Sequence, residues 1–145
     1  MLESTTFNEV LQNTLILLKT ALRNHRLFID LKDEQIKANA HDLQQVLFNV
    51  IKNSCQAMPA KGSVKIYQEI NDKKIHFHIE DTGPGFDEQI LKNMFQPFMT
   101  TKAQGDGTGL GLYLSKKLIN NMGAELLVTS NEGKGAKVTI IFDIL

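Results

Sequence analysis

Apolar residues near the start of the chain recur at helical spacing. Val10, Leu11, Leu15, Leu18 and Leu22 share one stripe while Asn8, Asn13 and Lys19 take other faces, so the pattern predicts an amphipathic helix over Phe7–Leu22. Two short apolar runs follow at Leu27–Leu31 and Gln35–Ala38, separated by Lys32-Asp33-Glu34, and read as a hairpin. A second helix is expected over Asp42–Met58, opening on the capping pattern Asp42-x-x-Gln45 and closing at Pro59, with Gly62 just beyond. From Ser63 to Asp81 the period changes to two: Val64 and Ile66, then Ile75, Phe77 and Ile79, point one way around an Asn71-Asp72 turn. The same alternation sends His76, His78 and Glu80 to the face opposite the core, in solvent or under a surface loop.

The pattern loosens after Asp81. Thr82-Gly83-Pro84-Gly85-Phe86 reads as a tight turn, a short helix is expected around Glu88–Met94, and Thr100–Gly109 holds almost no apolar residue, so that it cannot bury itself and reads as a mobile loop. A third helix over Leu110–Asn121 and two strands, Leu126–Thr129 and Val138–Phe142, complete the chain. Helices mixed with hairpins, without regular βαβ alternation, predict an α/β two-layer sandwich. Its sheet is mixed and mostly antiparallel, of about five strands, covered on one face by about three helices.

Composition narrows the function classes. The 145 residues, 42% apolar and 22% charged, suit one globular domain. Sixteen basic residues balance sixteen acidic ones, which argues against a nucleic-acid-binding surface and for a localised site. The single cysteine, Cys55, excludes an internal disulfide framework and a cysteine-built zinc cluster, and suits a reducing compartment. There is no run of eighteen apolar residues and no charged-then-apolar leader, so a cytoplasmic domain without membrane contact of its own is expected, whether or not its parent is anchored.

Three features carry candidate chemistry. On a helical wheel, Leu43, Val46, Leu47, Val50, Ile51, Ser54, Ala57 and Met58 form the buried face of the second helix, and Asp42, Gln45, Asn49, Asn53 and Gln56 form a polar row beside it. Asn49 and Asn53, four apart, therefore aim their amides the same way; alone, such a pair is as compatible with a solvated flank. Asp81 ends an apolar strand and meets Gly83-Pro84-Gly85, delivering a carboxylate to a turn that a planar ligand can approach, although a plain strand-to-helix turn has the same look. Gly105-Asp-Gly107-Thr-Gly109-Leu-Gly111 runs into the third helix, where free amides and the helix N-terminus favour an oxyanion such as phosphate. It is not a P-loop, since the G-x-x-x-x-G-K-[ST] spacing is missing. Cys55, on the far side of the helix from the asparagines, reads as a small buried filler.

Taken in order, these features resemble the catalytic ATP-binding domain of sensor histidine kinases, in the superfamily shared with gyrase, Hsp90 and MutL (the Bergerat or GHKL fold). The likeness runs from about Phe7 to Phe142: Asn49-Val-Ile-Lys-Asn53 is similar to the N box, Asp81-Thr-Gly83-Pro-Gly85 to the first glycine box, Phe95-Gln-Pro-Phe98 to the F box, Gly107-Thr-Gly109-Leu-Gly111 to the second glycine box and Gly133-Lys-Gly135 to the last. Pro97-Phe-Met-Thr-Thr-Lys102 resembles the nitrogen-regulatory subgroup.

The resemblance implies roles. Asn53 would ligate Mg²⁺ through its amide oxygen and Asn49 would support phosphate or metal, which makes both catalytic candidates. Asp81 would accept a hydrogen bond from the adenine amine and reject guanine, whose carbonyl would face it as a second acceptor. Gly83 and Gly85 would let the backbone close over the base. Phe98, Thr101, Lys102, Gly107, Thr108, Gly109, Leu110 and Gly111 would contact the rest of the nucleotide, with Lys102 a point charge near the β/γ-phosphates. Phe95 and Phe98 would anchor a lid, Met99–Gly109, that orders on nucleotide binding.

The implied function is to bind Mg·ATP and donate the γ-phosphoryl group to a histidine on a separate dimerisation domain of the same or a partner kinase, with a response regulator downstream in two-component signalling. None of His25, His41, His76 and His78 has the proline offset of a phosphoacceptor, so that residue is expected elsewhere. Residues 1–145 then read as a detached catalytic domain, expected to belong to a longer sensor kinase, and the sequence leaves open whether Met1 is native or introduced. Hydrolysing relatives carry a glutamate at the position of Asn49, and an amide cannot take a proton from water. A gyrase- or Hsp90-like hydrolase is thereby disfavoured, and a binding module without transfer activity remains the third possibility. Ala136-Lys137 departs from the small hydroxyl residues common after the last glycine, and the ending Phe142-Asp-Ile-Leu departs from the usual leucine-proline pair.

Overall fold

The computed structural model describes residues 2–58, 62–82, 111–131 and 135–145. The expected helix over Glu88–Met94, the loop Thr100–Gly109 and the lid Met99–Gly109 lie outside the described residues. The chain runs through β1 (Glu3–Thr6), α1 (Phe7–Leu17), α2 (Lys19–Leu22), β2 (Arg26–Asp30), β3 (Gln35–Ala38) and α3 (Ala40–Ala57). It continues through β4 (Ser63–Asn71), β5 (Lys74–Asp81), α4 (Gly111–Asn121), β6 (Glu125–Asn131) and β7 (Gly135–Asp143).

The main sheet has the order β2-β4-β5-β7-β6; β2 and β4 run parallel and the other pairs antiparallel, which is the mixed, mostly antiparallel five-stranded sheet expected. Register aligns Ile66 with Ile79 and Ile79 with Val138, so one face is a continuous apolar surface of Val64, Ile66, Ile75, Phe77, Ile79, Leu126, Val138, Ile140 and Phe142. The helices cover that face. α3 contributes Leu43, Val46, Leu47, Val50 and Ile51, spaced three and four apart, and packs against α1 and α4. Phe7 of α1 lies flat on Phe77, ring centroids 4.0 Å apart, and Phe77 meets Phe142 edge-on at 6.0 Å.

Three local expectations need correction, and one strand was not expected. The helix expected over Phe7–Leu22 breaks at Leu18 (φ −102°, ψ 9°), which closes α1 with an N–H to the Leu15 carbonyl before the single turn of α2. Leu18 is buried, so the break seats it in the core. The hairpin expected from Leu27–Leu31 and Gln35–Ala38 does not form. β2 joins β4 in parallel, with Leu27 opposite Val64 and Ile29 opposite Ile66, while β3 pairs with β1 in a separate two-stranded sheet. β1, the polar Glu3–Thr6, carries no alternation that announces a strand. Finally, the cap of α3 is Asn39, whose Oδ1 accepts from the Asp42 N–H at 3.0 Å; Asp42 lies inside the first turn, where its charge suits the helix dipole.

The helix-free face also departs from expectation. His78 is buried there. Tyr67 tilts over its ring at 4.8 Å, Nε2 lies 2.9 Å from Glu69 Oε1, and Nδ1 lies 2.8 Å from Thr139 Oγ1. Burial and the charge of Lys137 push its pKa below the ordinary 6.5, against an opposing pull from Glu69. The unfolded chain therefore binds this proton more readily than the folded one. His78 contributes stability above about pH 6.5 that is lost as pH falls through the lower folded value. We expect the urea midpoint to drop more between pH 7.5 and pH 5 in the wild-type protein than in His78→Asn, and parallel profiles would refute this assignment.

Candidate functional site

The site is built where the C-terminal half of α3 lies over the end of β5. Asn49 and Asn53 sit one turn apart on α3, both half-buried, on the border of the stripe formed by Val50, Ile51 and Ser54. Their amide oxygens are hard, neutral donors, which is the chemistry that a magnesium ion retaining waters and phosphate ligands accepts. Among the described residues no cluster of three or more His, Cys, Asp and Glu side chains has metal-binding geometry.

Asp81 is the last residue of β5 and is 7% exposed, an ionisable side chain placed by strand alternation on the helix-covered face. Its Oδ1 accepts from the Ala136 N–H at 3.3 Å. A carboxylate has lone pairs for further donors, so this bond fixes the group without exhausting it. The charge of Asp81 reaches Cys55 on α3: burial first, then that charge, raises the thiol above its ordinary pKa. Cys55 is accordingly a buried, protonated filler, as the sequence suggested.

Two contacts hold the Asp81 segment that sequence reasoning did not assign. Thr82 is bound to Ser63 twice: the Thr82 N–H donates to the Ser63 carbonyl at 3.2 Å, and Thr82 Oγ1 accepts from the Ser63 N–H at 3.0 Å. On the other side, Gly135 (φ +98°) lies so close that a Cβ there would collide with the Asp81 carbonyl oxygen. The only sequence signal for this was the glycine itself, in Gly133-Lys-Gly135. Gly135→Ala is expected to destabilise the protein by about 1–3 kcal/mol, through a left-handed φ and a backbone clash. A urea midpoint matching wild type would show that β7 yields without cost. Behind the segment, on the helix-free side, a cavity of about 460 Å³ opens between Phe28, Lys65, Glu80, Thr129 and Lys137. Ser63, Asp81, Thr82, Gly135 and Ala136 also line it.

The structure thus places Asn49 and Asn53 half-buried on α3, Asp81 buried at the end of β5, and Gly111 at the start of α4, the helix that packs beside α3. Gly83, Gly85, Phe95, Phe98, Thr101, Lys102, Gly107, Thr108, Gly109, Leu110 and Gly133 lie outside the described residues.

Comparison with known proteins shows the family and the fold. The profile of the histidine kinase-, DNA gyrase B- and HSP90-like ATPases matches residues 38–145. The chain is 38% identical over 147 residues to the signal transduction histidine-protein kinase AtoS of Escherichia coli (strain K12), covering 98% of this chain and 24% of AtoS. Among solved structures it superposes on the nucleotide-free catalytic domain of the histidine kinase ThkA with a TM-score of 0.87 at 26% identity, covering 99% of this chain and 96% of that one. It matches ThkA in complex with the response regulator protein TrrA with a TM-score of 0.81 at 23% identity, covering 99% of this chain and 42% of that one. The chain spans about a quarter of the length of AtoS.

Proposed function

The chain belongs to the histidine kinase-, DNA gyrase B- and HSP90-like ATPases, and from that premise we propose that it binds Mg·ATP beneath α3 and donates the γ-phosphoryl group to a histidine on a dimerisation domain. The observation that carries this reading is the family match over residues 38–145, a stretch that includes the half-buried Asn49 and Asn53 of α3 and the buried Asp81 that ends β5. Adenine presents its exocyclic N–H to the Asp81 carboxylate, which Ala136 holds by a backbone amide. The triphosphate runs toward α4, and Asn53, with Asn49 one turn away, would hold the magnesium ion. When bound, that ion neutralises charge on the phosphate oxygens. The chain's part in the chemistry is positioning: it orients the γ-phosphorus toward an incoming imidazole nitrogen, which forms the new N–P bond as the bond to the bridging oxygen breaks and ADP leaves.

Asn49 shapes the outcome. A carboxamide offers no base for water, so direct hydrolysis is slow and the acceptor must come from another domain. The kinase names of AtoS and ThkA, and the ThkA–TrrA complex, support a two-component partnership in which a response regulator acts downstream. Among the described residues no helix is long and apolar enough to cross a membrane. The finer assignment, to the nitrogen-regulatory type, rests on residues 97–102 alone, outside the described residues.

Incubation with γ-labelled ATP, with and without a dimerisation domain, tests the proposal. We expect acid-labile, base-stable label on that domain's histidine only when both proteins are present. Release of free phosphate by the chain alone would favour a hydrolase, and retained nucleotide without transfer would favour a binding module.

A further inference from the structure

Thr82, the residue that follows Asp81, is held by two hydrogen bonds to Ser63, so the fixing of Ser63 bears on the site. Ser63 opens β4, and the residue before it, Gly62, is buried. Gly62 has no side chain to anchor it, and the space a Cβ would need is filled by Met58, the residue that caps α3. The ladder between β2 and β4 begins at Arg26 opposite Ser63, so the Gly62 N–H lies just outside it. The backbone of β2 has already turned away there, with the His25 N–H tied back to the Leu22 carbonyl at 3.0 Å. A buried N–H without a partner is costly. The side chain of His25 supplies that partner: Gly62 N–H donates to His25 Nδ1 at 3.1 Å, while the Gly62 carbonyl accepts from Arg26 N–H at 2.9 Å.

We infer that His25 is a positioning residue for the nucleotide site. Its Nδ1 fixes Gly62–Ser63, Ser63 clamps Thr82 with two hydrogen bonds, and the clamp sets the place of the neighbouring Asp81 carboxylate. The bond requires an imidazole with the proton on Nε2, because Nδ1 must accept. Asparagine can replace it, since its Oδ1 reaches the place of Nδ1 and accepts in the same direction; leucine cannot.

The inference rests on the proposed ATP site, and its test separates the two. Nitrogen-15 NMR of the wild-type imidazole at pH 7.5 should show the Nε2–H tautomer of His25. Calorimetric titration with Mg·ATP, well below each variant's unfolding midpoint, should give His25→Asn a Kd within about twofold of wild type and His25→Leu a Kd raised about fivefold or more. A merely structural role would lower the unfolding midpoint of His25→Leu and leave its Kd unchanged, overturning the inference. An Nδ1–H tautomer, or equal weakening by Asn and Leu, would also overturn it. If His25→Leu does not fold, the tautomer and His25→Asn decide. Absence of binding by the wild-type protein would instead remove the ATP site itself, and the inference with it.

Discussion

Asn53→Ala is expected to remove magnesium-dependent phosphoryl transfer, lowering the rate roughly a hundredfold or more, because a carboxamide that would hold the ion against the triphosphate is lost. The fold should survive. Asn53 is half-buried on α3 beside a stripe of Val50, Ile51 and Ser54 that the substitution leaves intact, and alanine is the better helix former. The variant should still unfold in one cooperative transition. Transfer to an added dimerisation domain, measured over a magnesium titration, checks this. A variant that transfers at the wild-type rate would place the metal ligand elsewhere.

Asp81→Asn is expected to weaken ATP binding by about 1–3 kcal/mol, or about 5- to 150-fold in Kd. The asparagine Oδ1 can still accept from the Ala136 N–H, so the strand end keeps its anchor. What changes is the other half of the group: an amide N–H₂ faces the N–H of adenine where a carboxylate oxygen would have accepted it. A loss of affinity with an unfolding midpoint near wild type is therefore the signature, and unchanged affinity would remove the adenine role from Asp81.

The positions of Asn49, Asn53 and Asp81 in the fold were legible in the sequence because they sit on strongly periodic elements. The stripe of α3 fixed the direction of Asn49 and Asn53, and the alternation of β5 placed Asp81 on the core side at the strand end. What stayed illegible depends on partners distant in sequence. β2 and β3 look like a hairpin because their apolar runs are three residues apart; that β2 instead joins β4 depends on Leu27 and Ile29 matching Val64 and Ile66, more than thirty residues away. His78 stands on a formally polar face, yet Tyr67 and Thr139 from flanking strands enclose it. Likewise Ser63, Gly135 and the Ala136 amide act on the Asp81 segment through backbone contacts that no pattern of side-chain types can encode. Asn39 and Asp42 both had the chemistry of a cap, and the helix begins at the first of them.

A comparison of ATP with inosine triphosphate isolates the pairing of purine and carboxylate on which the account depends. The two nucleotides differ at the purine 6-position, an amine in one and a carbonyl in the other, and share the same phosphates and metal. In magnesium-containing buffer, calorimetry should report uptake of ATP, and binding of inosine triphosphate weaker by about 10- to 100-fold, since its carbonyl meets the Asp81 carboxylate as a second acceptor. Equal affinities for the two, or no uptake of ATP at millimolar concentration, would contradict it.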